Sequence, residues 1–470
     1  MNGRALGSRS LAILAAGVFL GLALSRRLNF DESLALRAGW LDVEGIRASP
    51  AFLMPWTLFA GLVGHLFGDP GTVLVLLRLA VATLVAGAFA LATRAAALAS
   101  SGVATAAWLA LGSAAFVAHG LEFRYDAAIL VLLLFAFTLI ATRKDSVYVG
   151  AVVAMISLHH LKGAYFGVGV ALICVTFSSD RRRDARRFGL AAVAVWVGWL
   201  ACIAALGLTD RFRESLVTFF DLAGGTTRTA LGETIGPTLL RDLAWWSFIL
   251  TAVSVGVWNR RHRDGVRTLS LAYAFSGLGI AFWLVHPHAW AYLAALPTPF
   301  LAIAAAREMT GSRKVLGIAL ATGCIGLLLQ VASSTPLQGS HLIAASRAPM
   351  APEVELLRAA KLALTPQDGV LDPSGLIYFG APCLREWYID TLFMERMEKG
   401  TWMQELAGGI PARCTMVLNT YRLGALPLEA RRSLGADFRL LRCGVAVRPD
   451  HANVESLAKV SGVGHVESYW

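Results

Sequence analysis

The sequence predicts a mainly α, polytopic membrane bundle of about eleven transmembrane helices, followed by a small α/β domain outside the membrane. Three observations carry this. Hydrophobic residues make up 56% of the 470 and charged residues 16%, whereas about a quarter of a soluble domain is charged. Several runs of roughly 16 to 22 residues carry few or no charges, the length that spans a hydrocarbon core. After about Ser334 the long apolar runs stop, and shorter helical and alternating patterns bounded by turn residues begin. The net charge of +11 requires no polyanionic partner such as nucleic acid, because polytopic proteins gather Lys and Arg in their cytoplasmic loops.

The basic start MNGRALGSRS leads into LAILAAGVFLGLALS. A cleavable signal peptide shares that design, but no good small-x-small site separates Ser25 from Arg26, so the segment reads as a retained signal anchor. Spans are expected near 10–25, 73–93, 103–119, 126–142, 147–160, 163–178, 188–208, 243–259, 268–285, 290–306 and 315–333. The connections then alternate in charge. One set, with Arg4 and Arg9, holds Arg94, Arg143, Lys144, the run DRRRDARR, RRHRDGVR, Arg307, Arg313 and Lys314, seventeen basic residues in all. By the positive-inside rule this set is cytoplasmic. The opposite set holds LNFDES, LEFRYD, HHLK, the segment 209–242 and HPHAW, and the tail follows them to the outside. The expected location is a bacterial inner membrane with the C-terminal domain periplasmic or extracellular.

The membrane domain is expected over 1–333, with its first outer loop at 26–72. Within that loop PAFLMPWTLFAGLVGHLFGD is apolar but broken by Pro50, Pro55, Gly61 and Gly64, which suits a helix at the outer interface rather than a span. Segment 209–242 reads as a long outer loop broken by Gly224, Gly225 and Gly236, and loops of that length are usually functional. The domain at 334–470 opens with PEVELLRAAKLAL, apolar at helical spacing. VLDPSGLIYFG, RCTMVLNT and DFRLLRCGVAVRP each read as a strand. Cys174, Cys202 and Cys324 sit in apolar runs as small core residues. Cys383, Cys414 and Cys443 lie in the tail, where an odd number allows at most one disulfide.

Four outer sites carry chemical potential. Asp31 and Glu32 follow the first helix; they suit an N-cap or pairing with Arg26, Arg27 or Arg37, and ionisable residues beside a membrane also suggest function. Arg124 and Asp126 open the fourth span, where Asp126 suits a cap and Arg124 a surface partner. His159, His160 and Lys162 make a sharp turn, with snorkelling as the plain alternative. His286 and His288 stand beside an aromatic belt of Trp283, Trp290 and Tyr292. Together these residues can deprotonate a hydroxyl with a carboxylate and stabilise a departing phosphate with cations. No Cys or His spacing suits a metal.

In order and sidedness, this layout resembles the GT-C glycosyltransferases that use polyprenyl-phosphate sugars, including protein O-mannosyltransferases and lipid A aminoarabinose transferases. The resemblance rests on FDES, on PAFLMPWTLFAGLVGHLFGDPGTVLVLLRLAVA with Arg78, and on RYDAAILVLLLFAF, HLKGAYFGVGVAL and AYLAALPTPFLAIAAA. It implies inverting transfer of a sugar from a polyprenyl-phosphate donor to a glycan, lipid or protein acceptor. It implies Asp31 as base, with Glu32 orienting or substituting for it, and Asp126 positioning the acceptor or the Asp31 loop. Lys162 would bind the lipid phosphate with Arg124, His159 or His160, leaving His286, His288 and Tyr292 as further substrate contacts. The lipid-linked sugar is a substrate, and neither a cofactor nor an essential metal is expected. The rival reading is a transporter or flippase of a lipid-linked glycan. Transporters place charges at the bilayer midplane and show inverted repeats, whereas these charges cluster at helix ends on one side and the halves show no evident symmetry.

Overall fold

A computed structural model describes residues 3–25, 30–46, 54–223, 235–259, 266–286, 291–309, 313–332, 351–384, 405–441, 444–451 and 455, apart from 237, 241, 366, 374, 420–422 and 425. The chain divides into two compact units. The first comprises Met1–Arg27, Arg78–Cys202 and Thr227–Ser346; the second comprises Leu28–Leu77, Ile203–Thr226 and Arg347–Trp470.

The fold is mainly helical and multi-pass. The expected spans correspond to α1 (Gly3–Ser25), α4 (Pro70–Ala95), α5 (Ser100–Gly112) with α6 (Ala114–His119), α7 (Tyr125–Ala141), α8 (Ser146–His159), α9 (Leu161–Thr176) and α10 (Arg181–Ala205). They continue with α12 (Leu243–Asn259), α13 (Val266–Val285), a 3-10 turn (Ala291–Ala295) leading to α14 (Thr298–Glu308), and α15 (Arg313–Ala332). Among the described residues four helical segments are long and apolar enough to cross a membrane: Gly7–Leu24, Pro70–Ala95, Arg181–Ala205 and Arg267–Val285. Most of the others are apolar but shorter.

Two expected spans are broken, and the breaks have identifiable causes. Run 103–119 stops at Ser113, whose backbone is extended. The amide groups that open α6 are satisfied from far away: Asp242 accepts from Ala114 N at 2.8 Å and Ala115 N at 3.3 Å, and from Ser113 Oγ at 3.3 Å. A buried carboxylate at a helix start answers both the orphan N–H groups and the positive end of the helix dipole. Trp245, in the first turn of α12, donates its indole N–H to the Leu109 carbonyl at 2.7 Å and pins α12 onto the same break. Run 290–306 is interrupted at Pro297, which precedes α14.

Glycines allow the closest helix contacts in this unit. A Cβ at Gly326 would strike the backbone of Gly112, and one at Gly163 would strike the Ile156 carbonyl. This is the small-residue packing that lets membrane helices approach closely, and at Gly163 it fixes the tight α8–α9 hairpin.

The second unit joins segment 28–77 to the tail. α2 (Phe30–Val43) packs on α3 (Pro55–Phe67) backbone to backbone through Gly39 and Gly61. Buried Arg37 donates to the Phe379 and Gly380 carbonyls, both at 2.7 Å; burial lowers its pKa to about 10, with Asp372 opposing the shift. Asp69 pairs with Arg358 through two hydrogen bonds of 2.6 and 3.0 Å. Segment 209–242, expected as a loop, begins with a helix, α11 (Thr209–Ala223). Gly224 and Gly225 lie outside the described residues.

The tail carries α16 (Ala351–Ala363), α17 (Leu428–Asp437) and a five-stranded sheet. Its strands are β1 (Gly369–Leu371), β2 (Ala381–Pro382), β3 (Cys414–Leu418), β4 (Arg439–Leu440) and β5 (Val445–Val447), in the order β2-β1-β3-β5-β4. β2, β1 and β3 run parallel, and β3, β5 and β4 antiparallel. DFRLLRCGVAVRP, expected as one strand, is therefore a hairpin, turning at Gly444 with φ 85°. Cys383 and Cys414 form a disulfide; Cys443 lies outside the described residues.

Two predictions follow from the second unit. Gly39→Val should destabilise the protein by about 3 kcal/mol or abolish folding, because its Cβ would sit on the Thr57 carbonyl, whereas overpacking ordinarily costs about 1–3 kcal/mol. Thermal unfolding in detergent measures this. Asp42 is buried with Arg211 Nη2 2.9 Å away, and burial raises its pKa to about 7 against the pull of that arginine. The folded protein therefore holds a proton on Asp42 over a range in which the unfolded chain has lost it. This contribution to stability is fully present below about pH 4 and falls as pH rises through about 7. Asp42→Asn should flatten the pH dependence of the unfolding midpoint across that window.

Candidate active site

The first unit gathers a buried charged cluster around Tyr292. The turn between α6 and α7 delivers Glu122 and Arg124, the first turn of α7 delivers Asp126, and the start of α9 delivers Lys162. Helix α7 begins at Tyr125 with Arg124 as its N-cap. This corrects the expectation of Asp126 as a cap and Arg124 as a surface residue. Asp126 sits inside the first turn, where the helix dipole favours an acid, and Arg124 is 5% exposed. Lys162 sits in the first turn of α9, where the same dipole disfavours a cation, so it needs a carboxylate beside it.

Asp126 supplies that carboxylate. Lys162 Nζ donates to Asp126 Oδ1 at 3.3 Å and to Tyr292 Oη at 3.0 Å. Arg124 Nη2 lies 3.5 Å from Asp126 Oδ2, and Arg124 Nη1 donates to Glu122 Oε2 at 3.2 Å. The guanidinium stands 3.9 Å from the Tyr292 ring centroid and the Lys162 ammonium 4.6 Å, within cation–π range. Glu122 is fully buried, and its Oε2 also lies 3.2 Å from His119 Nδ1. The two acids and two cations have no net formal charge, and the protonation state of His119 decides any remainder.

The other expected residues fall out as follows. His160 caps α9, its Nδ1 accepting from Lys162 N at 3.1 Å, and its ring packs 5.1 Å from that of Tyr125. His159 is buried, with Nδ1 2.6 Å from the Met155 carbonyl. In each ring, Nδ1 is thus committed to the backbone. His286 is half-buried beside Phe282, ring centroids 5.5 Å apart. His288, Trp290, Arg26 and Arg27 lie outside the described residues.

Asp31 and Glu32 belong to the second unit. α2 already begins at Phe30, so Asp31 occupies its first turn rather than the N-cap; the Asp31 side chain lies outside the described residues. Glu32 is buried. The cluster thus unites Arg124, Asp126, Lys162 and Tyr292 from the expected set and adds Glu122 and His119, which the sequence reading passed over. The signal for Glu122 was in LEFRYD, where three charges fall within five residues at the mouth of an apolar helix. Among the described residues no group of three His, Cys, Asp or Glu side chains is placed to hold a metal ion.

No family model matches the chain, and no curated protein matches it. Solved structures do. The chain is similar to the crystal structure of ArnT from Cupriavidus metallidurans in the apo state, with TM-score 0.61 and 15% identity, covering 98% of this chain and 100% of that one. It is also similar to the crystal structure of the same protein bound to undecaprenyl phosphate, with TM-score 0.54 and 16% identity, covering 75% of this chain and 68% of that one. At this identity the likeness establishes the fold: a multi-pass helical membrane protein built as ArnT is.

Glu122 holds Arg124, so removing its charge should loosen the cluster. Glu122→Ala is expected to lower stability by about 3 kcal/mol, the scale for leaving a buried charge without one of its partners. Glu122→Gln, which keeps one acceptor, should cost less. Thermal unfolding of both variants in the same detergent checks the order.

Proposed function

We propose that the protein is an inverting glycosyltransferase that moves a sugar from a polyprenyl-phosphate donor to an extracytoplasmic acceptor. The observation that carries this reading is the pair of buried Arg124 and half-buried Lys162, two cations at helix ends beside Tyr292, in a chain with the fold of a protein crystallised with undecaprenyl phosphate.

In this reading Asp31 takes the proton of the acceptor hydroxyl. The hydroxyl oxygen attacks the anomeric carbon from the face opposite the phosphate. The bond from that carbon to the phosphate oxygen breaks, and the electron pair leaves with the lipid phosphate. A phosphate leaving group needs no proton, so one base and a cationic clamp suffice. The clamp acts where charge develops, and fixed charges in a water-poor site stabilise such charge well. Lys162 and Arg124 are the clamp. Asp31 is assigned as base from its place in FDES, with Glu32 its buried neighbour on α2. The acceptor is a glycan, lipid or protein on the outer face of a bacterial inner membrane.

Asp31→Asn should abolish sugar transfer while folding and membrane level stay unchanged; full activity in that variant would remove Asp31 from the mechanism. Lys162→Ala should weaken undecaprenyl phosphate binding by about tenfold or more, the loss of one charge-assisted contact, as measured by native mass spectrometry. Intact-mass glycolipid profiling of cells with and without the gene would identify the sugar and its acceptor together.

A further inference from the structure

The two cations assigned to the phosphate are already engaged. Lys162 Nζ is shared between Asp126 and Tyr292 Oη, and Arg124 divides its two terminal nitrogens between Asp126 and Glu122. The Asp126 contacts are the looser ones. They measure 3.3 and 3.5 Å, against about 2.7–2.9 Å for a tight charge-assisted bond. Asp126 is 6% exposed, yet its Oδ2 accepts no hydrogen bond among the described residues. If Asp126 let go, Tyr292 would still orient Lys162 and Glu122 would still orient Arg124. The atoms released would be Lys162 Nζ and Arg124 Nη2, the two donors that a phosphate oxygen needs.

A phosphate monoester carries between one and two negative charges near neutral pH. Entering a cluster of zero formal charge, it meets Asp126 as a like charge in a site of low dielectric, where such repulsion is strong. We propose that Asp126 is an internal counter-anion. It occupies Lys162 and Arg124 before the lipid phosphate arrives, competes with that phosphate for them, and so limits how tightly the polyprenyl-phosphate product is held. This role rests on the glycosyltransferase reading and assigns Asp126 a task beyond positioning. Once the phosphate takes the cations, Asp126 Oδ2 is the acceptor left for a ligand hydroxyl.

The competition has a sign that a merely structural role lacks: removing the acid should strengthen binding. Purified full-length protein, wild type, Asp126→Asn, Asp126→Ala and Lys162→Ala, is titrated with undecaprenyl phosphate and, separately, with inorganic phosphate. Binding is read by native mass spectrometry, and folding is checked by thermal unfolding. Asp126→Asn should bind undecaprenyl phosphate about tenfold or more tightly than wild type, and inorganic phosphate should be tightened by a similar ratio. Asp126→Ala, which brings no new amide donor, should move in the same direction, and it stands in if the Asn variant does not fold. Equal or weaker binding in folded Asp126 variants overturns the proposal while leaving the glycosyltransferase reading intact. Tightening seen with the lipid but not with inorganic phosphate places the effect in the polyprenyl chain and also overturns it. If wild type does not bind the lipid, or Lys162→Ala binds it as wild type does, the phosphate assignment itself fails.

Discussion

The pairing of buried charge at Tyr292 sets the terms for the first unit. Ionised groups inside or beside a hydrocarbon layer persist only when they are paired or reach water. Glu122, Arg124, Asp126 and Lys162 meet that constraint by sharing partners, with one tyrosine offering both its hydroxyl and its ring face. Much of the local architecture follows from delivering these groups. The α5–α6 break turns the chain so that α6 ends at His119, three residues before Glu122. The α8–α9 hairpin, closed at Gly163, sets Lys162 at a helix start, where it depends on Asp126 for compensation. The backbone breaks are themselves satisfied by polar side chains, with buried Asp242 at α6 and half-buried His160 at α9.

The second unit solves a different problem with similar means. Its sheet is short-stranded, and its core closes around the Cys383–Cys414 disulfide and apolar residues such as Leu371, Val417 and Leu434. Segment 28–77 joins it through specific polar contacts: Arg37 of α2 on two carbonyls, and Asp69, just after α3, on Arg358. The α2–α3 pair stays close only because Gly39 and Gly61 carry no side chain.

The apolar helices were legible because a long apolar run bounded by charge has few other physical meanings. Expected limits such as 126–142 and 147–160 fall within a residue or so of α7 and α8. The breaks at Ser113 and Pro297 were not legible as breaks, because hydropathy does not register them and the group that stabilises the first, Asp242, lies more than 120 residues away. Helix α11 was hidden because the glycines of segment 209–242 read as loop signals when its own amphipathic pattern should have decided. In the site, Arg124, Asp126, Lys162 and Tyr292 stood out as charges or a tyrosine at helix ends. Glu122 and His119 did not, because their importance comes from contact, Glu122 with Arg124 and His119 with Glu122. Arg124 looked like a surface cation because a charge at the mouth of an apolar helix ordinarily reaches water, although the two carboxylates that allow its burial, Glu122 and Asp126, stand two residues away on either side.

A cluster with no net charge looks unpromising for an anion, and a bare cationic pocket would bind a phosphate more tightly. Tight binding of substrate and product alike does not accelerate a reaction, however; only what grows stronger in the transition state does. In the proposed displacement the phosphate would gain charge as its bond to the anomeric carbon breaks. Cations divided between a resident acid and the ligand respond to that gain, because each increment of charge on the phosphate shifts the division toward it. Lys162 and Arg124 each keep a second partner that does not leave, so the shift requires little reorganisation. In the proposed function, the acid that makes the resting cluster neutral would turn a phosphate-binding pair into a catalytic one.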